Sequence, residues 1–134
     1  MKMMKEYSLS TGRNNEMVDI TSRIRTGIAE SGVQDGIAVI FVPHTTAAVT
    51  INENADPDVK SDMLMGMETV APDSSRFRHA EGNSAAHIKT TLTGPSLTVI
   101  ISGGRPLLGT WQGIYFCEYD GPRSRKFMLK VMQG

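Results

Sequence analysis

A continuous apolar run over residues 36–42 constrains the fold of this chain more than any other sequence feature. The run reads Gly-Ile-Ala-Val-Ile-Phe-Val and stops at Pro43. Its short length and β-branched side chains favour a strand, and its lack of polar positions predicts that this strand is buried on both faces. We therefore expect the core of the fold to contain a sheet.

Further strands are predicted by short stretches that alternate, or that are rich in β-branched and aromatic residues. They cover residues 3–10, 45–51, 97–101, 112–119 and 125–131. The Asp-Gly-Pro-Arg sequence at residues 120–123 is typical of a turn. The last two stretches are therefore predicted to form a hairpin.

The first of three predicted helices follows from the spacing of Ile20, Ile24 and Ile28, which recur on one helical face. Thr21 is the expected N-cap of this helix, and Gly32 is its expected end.

The second helix is predicted to begin at residues 56–58, Asp-Pro-Asp, which combine a cap, a proline and an acid in the first turn. Its predicted apolar face consists of Val59, Met63, Met67 and Val70. The third helix is expected over residues 85–93, after a cap at Asn83 and Ser84.

The order of these elements is roughly β-α-β-β-α-α-β-β-β, with short turns between adjacent strands. It predicts an α+β fold in which about three helices pack against a mainly antiparallel sheet. The 134 residues suggest a single domain over residues 1–134.

Composition argues against several classes of protein. The chain has 14 Lys+Arg and 14 Asp+Glu, and this zero net charge disfavours a nucleic-acid partner. No uncharged apolar run approaches the ~18 residues that a membrane-spanning helix needs. We therefore expect no membrane partner. The single cysteine, Cys117, cannot form an intrachain disulfide, so we expect a cytoplasmic protein.

The three histidines of the chain, His44, His79 and His87, each lie within a polar motif. His87 follows Asn83 by four residues, so both are expected on one helical face. Three imidazoles can ligate zinc, donate to a phosphate, or act as acid and base. The spacing matches no standard zinc pattern, and three unrelated histidines, with His87 partly buried on its helix, are an equally supported alternative.

Asn52 and Glu53 form an acidic and polar cluster after the strand that begins near His44. A straight strand places Glu53 ~20 Å from His44, at a rise of 3.3 Å per residue. The two can then meet only through a sharp bend or across a subunit boundary. Asp56 and Asp58 are already explained by the helix that starts there.

The only tryptophan, Trp111, lies between Thr110 and Gln112 and is flanked further out by glycines. A lone aromatic residue is usually part of the core, but this small polar frame can also hold a ring. Arg123, in the predicted turn, is either a phosphate contact or a solvated charge.

Several short motifs, in this order, resemble the YjbQ-like family, whose members are described as secondary thiamine-phosphate synthases. The motifs occupy residues 19–21, 42–46, 51–59, 79–83, 86–88, 108–112 and 120–123. Their common order makes the resemblance more specific than any one motif, and it covers nearly the whole chain.

The resemblance implies a compact α+β domain, usually a homotrimer, with a polar pocket around the motif histidines. It also implies a reaction that joins a pyrimidine-methyl diphosphate to a thiazole phosphate and releases diphosphate. The expected catalytic residues are His44, His79, His87 and Glu53. The expected contacts to these small phosphorylated molecules are Thr45, Thr46, Asn52, Asn83, Thr110, Trp111, Gln112 and Arg123.

A divalent metal is the expected cofactor, with no organic cofactor. Mg²⁺ is the usual partner of diphosphate and prefers carboxylates such as Glu53, Asp56 or Glu81, whereas the three histidines suit Zn²⁺ better. The alternative function is a protein that binds a metal or an anionic metabolite in a three-histidine pocket without this catalysis. A structural oligomer with no small-molecule role is a third interpretation.

Two expectations concern assembly of the site. We expect the three histidines to share one pocket, and we expect a trimer in which a neighbour presents its Glu53 cluster to that pocket. The predicted hairpin over residues 112–131 offers an edge strand for the interface, with apolar residues such as Tyr115, Phe127 and Met128.

Overall fold

The computed structural model describes residues 4–134, which form eight strands and three helices. In chain order they are β1 (Met4–Ser10), β2 (Glu16–Asp19), α1 (Thr21–Ser31), β3 (Asp35–Phe41), β4 (Ala47–Glu53), α2 (Pro57–Val70), α3 (Ser84–Thr93), β5 (Ser96–Ser102), β6 (Arg105–Pro106), β7 (Gln112–Glu118) and β8 (Ser124–Gln133). Met3, the first residue of the predicted N-terminal strand, lies outside the described residues.

The strands form two antiparallel sheets. The larger sheet has the order β1-β8-β3-β5-β6, and the smaller has the order β2-β7-β4. Three helices accompany these sheets in one domain, which confirms the predicted α+β class. Among residues 4–134, no helix is both long enough and apolar enough to cross a membrane.

The predicted hairpin of the last two strands is wrong, because β7 and β8 belong to different sheets. β7 pairs with β2 and β4, while β8 pairs with β1 and β3. The turn at residues 120–123 carries the chain from one sheet to the other. This crossing lets Phe116 of β7 contact Phe127 of β8 across the core, with ring centroids 6.2 Å apart. Both strands are interior, so the edge-strand interface expected over residues 112–131 is wrong as well.

The strand predicted from the apolar run is β3, but only one of its faces is buried in the chain. Ala38 and Ile40 are fully buried, whereas Ile37 and Val39 are half-buried and Phe41 is 44 % exposed. The inner face packs into the main core, which lies between the two sheets and α1. The outer face is partly exposed to solvent, so the expectation of burial on both faces is wrong for the single chain.

Helix α1 begins and ends largely as its sequence predicts. Gly32 ends it in the left-handed conformation, with φ 75°. The start differs, because Thr21 is the first helical residue and its amide donates to Asp19 Oδ1 at 2.9 Å. The Thr21 hydroxyl is used elsewhere, since its Oγ1 accepts the amide of Ile114 in β7 at 2.8 Å. This bond ties the helix to the smaller sheet.

Helix α2 begins as predicted but packs loosely. The Asp56 side chain accepts the amide of Asp58 at 2.9 Å, and Pro57 is the first residue of the helix. No α2 residue is buried, and Val70 of the predicted apolar face is exposed. Contact with the second core cluster comes from Met63, Leu64 and Met67.

Candidate functional site

The two ends of β4 hold different groups of the predicted site residues. His44, Thr45 and Thr46 directly precede β4, while Asn52 and Glu53 end it. In the register with β7, Ala47 lies opposite Glu118 and Glu53 lies opposite Gln112. The seven residues of β4 therefore separate a histidine end from a Glu53 end by ~20 Å.

His79 and His87 come together beside the first turns of α3. Their ring centroids are 5.5 Å apart, and the rings meet edge to face at 88°. His79 lies in the loop before α3, where the Gly82 amide donates to the His79 carbonyl oxygen at 3.2 Å. Gly82 has φ 75°, a conformation that glycine adopts without strain, and it turns the loop back onto the start of α3.

His44 lines a cavity that the other two histidines do not line. This cavity, of about 500 Å³, lies against β1 and the start of β8 and includes neither His79 nor His87. His44 Nε2 accepts the backbone amide of Lys126 at 3.0 Å. Burial, followed by the positive charge of Arg125, lowers the pKa of His44, so its neutral form is favoured. The structure thus joins two of the three histidines, and a pocket common to all three stays a prediction.

The expected metal ligands are not assembled within one chain. Among residues 4–134, no three His, Cys, Asp or Glu side chains are grouped so as to hold a metal ion. His44 Nε2 already has a backbone donor, and Asp56 caps α2. No set of three protein ligands is therefore preassembled among the described residues, and binding of Zn²⁺ or Mg²⁺ stays a prediction.

A carboxylate connects two predicted substrate contacts, Asn83 and Arg123. Asn83 Nδ2 donates to Asp120 Oδ2 at 2.8 Å, and Arg123 Nη2 donates to the same oxygen at 2.9 Å. Arg123 Nε also donates to the Asp120 carbonyl oxygen at 2.8 Å. Asp120 thereby holds a half-exposed guanidinium beside the start of α3, where His87 lies one turn further along.

Asn83 occupies the N-cap position of α3 as predicted, but its side chain makes no capping hydrogen bond. No side chain caps α3 within the described part of the chain, and Asn83 Oδ1 is buried without a hydrogen-bond partner there. The Ser84 and Ala85 amides therefore have no capping acceptor, whereas the Ala86 amide donates to the Asn83 carbonyl oxygen at 3.0 Å.

A buried ion pair, which the sequence analysis missed, supports this turn. Glu118 is fully buried and Arg125 is 3 % exposed. The Glu118 carboxylate accepts hydrogen bonds from Arg125 Nε at 2.8 Å, Thr11 Oγ1 at 2.7 Å and the Asp120 amide at 2.9 Å, and it also binds Arg125 Nη2. Burial alone would raise the pKa of Glu118, but these hydrogen bonds outweigh it and hold that pKa below its ordinary value.

Thr46, predicted to contact substrate, belongs to this buried network instead. It is buried, and its Oγ1 accepts Arg125 Nη2 at 2.8 Å. Its neighbour Thr45 is exposed. A sequence signal exists for Glu118, the single charged residue of β7, but it does not identify the partners of that residue, and Arg125 is one of three basic residues in β8.

The Glu53 end of β4 forms a second polar surface. Trp111 is 62 % exposed, which excludes its assignment to the core. Its carbonyl oxygen accepts the Asn54 amide at 2.9 Å, and Gln112 Oε1 accepts the Gly109 amide at 2.7 Å. These bonds close the loop that carries the exposed Thr110 and present the indole ring beside the end of β4.

Backbone contacts order the Glu53 segment. Asn52 Oδ1 accepts the Glu53 amide at 2.7 Å, and the Glu53 carbonyl oxygen accepts Tyr115 Oη at 3.1 Å. Asp19 lies nearby, because its Oδ2 accepts Asn54 Nδ2 at 3.2 Å. The Glu53 end thus combines carboxylates with one exposed aromatic ring.

Comparison with known proteins gives a consistent result. The profile of the family described as "UPF0047 protein YjbQ-like" matches residues 5–134. A UPF0047 protein of Methanocaldococcus jannaschii is 55 % identical over 132 residues, which cover 98 % of this chain and 96 % of the relative. UPF0047 protein YugU of Bacillus subtilis is 51 % identical over 131 residues, with 97 % and 99 % covered.

Solved structures show the same fold. A YjbQ/UPF0047 family protein of Clostridium acetobutylicum is 53 % identical and superposes with a TM-score of 0.93, covering 96 % of this chain and 99 % of its own. A YbjQ-like protein of Sulfolobus solfataricus gives the same TM-score, 0.93, at 31 % identity, with 98 % and 96 % covered.

Proposed function

Because this chain belongs to the UPF0047 YjbQ-like family, we propose that it is a transferase of the thiamine-phosphate synthase type. It would join a pyrimidine-methyl diphosphate to a thiazole phosphate and release diphosphate. The observation that carries the proposal is the His79–His87 pair, 5.5 Å between centroids, at the start of α3. Together with the Arg123 guanidinium held by Asp120, the pair offers several donors to phosphate oxygens.

The proposed reaction depends more on charge stabilisation than on proton transfer. The bond between the methylene carbon and the diphosphate oxygen breaks, and its electron pair leaves with diphosphate. The thiazole nitrogen then gives its lone pair to the cationic methylene and forms the new carbon–nitrogen bond. His79, His87, Arg123 and the uncapped first amides of α3 would stabilise the negative charge that develops on the leaving group.

The ring-binding half of the site is proposed at the Glu53 end of β4. The exposed Trp111 would stack on a substrate ring, and Glu53 would stabilise the cationic intermediate. Within one chain this end lies ~20 Å from the histidine end. The proposal therefore includes a closed homotrimer in which one subunit supplies the histidine pair and its neighbour supplies Glu53 and Trp111.

The outer face of the larger sheet supports assembly into a homo-oligomer. In the register of β3, Ile37 lies opposite Ile100 of β5 on one side and Met132 of β8 on the other. Ile100, Met132 and Phe41 are exposed large apolar side chains. Exposed apolar side chains on one sheet face, here interrupted by Thr98 and Lys130 beside Val39, are typical of a protein–protein contact, and this face replaces the hairpin surface as the proposed interface.

A metal- or anionic-metabolite-binding protein without this catalysis is the second candidate. It is favoured by the separation of the two ends of β4, since the histidine pair alone is sufficient to bind an anion. Stoichiometric zinc in untagged protein would favour this candidate over the transferase. In either case the single cysteine supports a cytoplasmic setting, where small phosphorylated molecules are available.

The direct test supplies both substrates to purified, untagged protein and measures the condensed product. Wild-type protein should form it, and His79→Ala, His87→Ala and Arg123→Gln should each lower the rate ~10²-fold, as removal of one charge-stabilising donor does. Lys5→Gln, at a surface ion pair with Glu30 of α1 that shares no residue with the proposed site, serves as the control and should keep full activity. Absence of product from the wild-type protein refutes the transferase.

A second experiment tests the shared site. Light scattering should give the mass of a trimer at micromolar concentration, and a monomer mass would refute the assembly. Mixing Glu53→Ala subunits with His87→Ala subunits, each of low activity alone, should raise the activity above that of either variant if neighbours complete the site. Mixed oligomers that gain no activity would place both halves within one subunit.

A further inference from the structure

A second cavity, of about 700 Å³, lies between α1 and the β5–β6 turn. Two exposed arginines line it, Arg25 from α1 and Arg105 from β6. Its lining includes no acidic residue and shares no residue with the His79–His87 site. The cavity is therefore a separate basic surface for which the proposed transfer reaction has no use.

The backbone around this cavity is well defined. Gly103 and Gly104, with φ 60° and 76°, form the two-residue turn that pairs Ser102 with Arg105. The Gly104 amide donates to the Gln34 carbonyl oxygen at 3.0 Å. A Cβ at Gly104 would lie only 3.0 Å from Gln34 Nε2, so the turn and Gln34 are in close contact. Arg105 is thus held at the start of β6.

The position of Arg25 is equally constrained by its own helix. Its neighbours on α1, Ile24 and Ile28, are fully buried in the main core. This burial fixes α1 against the sheets and leaves Arg25 on the open side of the helix. The two guanidinium groups therefore approach one cavity from independent, rigid elements.

Neither arginine forms an ion pair with another described residue. Within residues 4–134, the ion pairs involve other basic residues, and no acid lies among the residues that line the cavity. Two like charges in one concave surface concentrate a positive potential there. A dianion relieves this repulsion, and the planar guanidinium matches the oxygens of a phosphate group in a bidentate arrangement.

We propose that this cavity binds the phosphate group of a small phosphorylated molecule, with Arg25 and Arg105 as the two clamps. A phosphomonoester carries a charge of about −2, which the two guanidiniums neutralise. The cavity is much larger than a phosphate ion and lies within the usual ligand-pocket range of ~300–1,000 Å³. It therefore has room for an organic part, which would contact Thr26 and Gln34.

The test is an NMR titration of the full-length, ¹⁵N-labelled protein with phenyl phosphate, inorganic phosphate and phenol. The amide signals of Gly103, Gly104 and Arg105 should move and saturate with phenyl phosphate and stay in place with phenol. Arg25→Gln and Arg105→Gln should each weaken the affinity at least ~10-fold, as loss of a charge-assisted hydrogen-bond pair does. Arg13→Gln, at an exposed arginine outside the cavity, should change it less than ~2-fold.

Several outcomes are decisive. Tighter binding of phenyl phosphate than of inorganic phosphate assigns the ligand to phosphorylated organic molecules, and equal binding assigns it to phosphate itself. Arg25→Lys should retain part of the affinity, and signals remote from the cavity should overlay those of the wild-type protein, which shows that the variants fold. The His79→Ala variant should bind as the wild-type protein does. The site is refuted if the turn amides never saturate, or if Arg13→Gln weakens binding as much as Arg25→Gln.

Discussion

The buried Glu118–Arg125 pair predicts a large loss of stability when its charge balance is broken. Glu118→Gln keeps the shape of the side chain but removes its charge, so Arg125, 3 % exposed, remains as an unpaired buried cation. The new amide group also replaces one of two carboxylate oxygens that accept hydrogen bonds from Thr11, Asp120 and Arg125. Removal of one partner from a buried ion pair costs about 3–5 kcal/mol. That cost is a large part of the roughly 5–15 kcal/mol that stabilises a typical domain.

Urea unfolding followed by circular dichroism measures this loss, with all variants at one protein concentration because the protomers are proposed to associate. The matched control is Glu6→Gln, at an exposed carboxylate 3.5 Å from Lys126, which should cost less than ~1 kcal/mol. The double variant Glu118→Leu with Arg125→Met should recover part of the loss, because neither buried charge remains, although the Thr11 hydroxyl and the Asp120 amide lose their acceptor. A cost below about 1 kcal/mol for Glu118→Gln, or one equal to the control, would show that the pair is not desolvated.

Further predictions concern pH, thiol chemistry, packing and titration. Because the pKa of Glu118 is depressed in the folded state, its contribution to the free energy of unfolding is complete above the unfolded carboxyl pKa and is lost as pH falls through the folded pKa. The difference in the free energy of unfolding between the wild-type protein and Glu118→Gln should therefore shrink on acidification. Burial raises the pKa of Cys117 to about 12, so a thiol reagent should label it only as fast as the protein unfolds, and faster labelling would contradict its burial. Gly36→Ala should destabilise by about 1–3 kcal/mol in urea unfolding, because a Cβ there would overlap a backbone carbonyl oxygen, whereas Gly12→Ala, with open space around it, should cost much less. An NMR pH titration should give His44 a pKa below 6.5, and a value above it would contradict the surroundings described for its ring.

Local signals predict the elements of this fold better than they predict its topology. The isoleucine period identifies α1, and Asp56 with Pro57 identifies the start of α2, because both patterns lie within one element. The turn at residues 120–123 shows that the chain changes direction there, but it carries no information on which sheet receives the next strand. β7 instead finds its partners in β2 and β4, far away along the chain.

In the candidate site, too, the sequence predicts contacts between residues near in the chain but not contacts between distant ones. His79 and His87 are eight residues apart and meet through one glycine turn and one helix turn, so the sequence predicts their proximity. His44 is held by the amide of Lys126, 82 positions away, a contact that no local pattern encodes. The same is true of Thr46, whose hydroxyl is taken by Arg125 from 79 positions away.

The central claim is that His79 and His87 receive the phosphate oxygens of the substrate. An NMR titration with inorganic diphosphate, observed at the imidazole ring protons of all three histidines, tests it most directly. The account predicts that the His79 and His87 ring signals shift together along one saturable curve, and that Arg123→Gln lowers the affinity for diphosphate at least ~10-fold. Ring signals of His79 and His87 that stay in place while diphosphate binds elsewhere on the protein would contradict it.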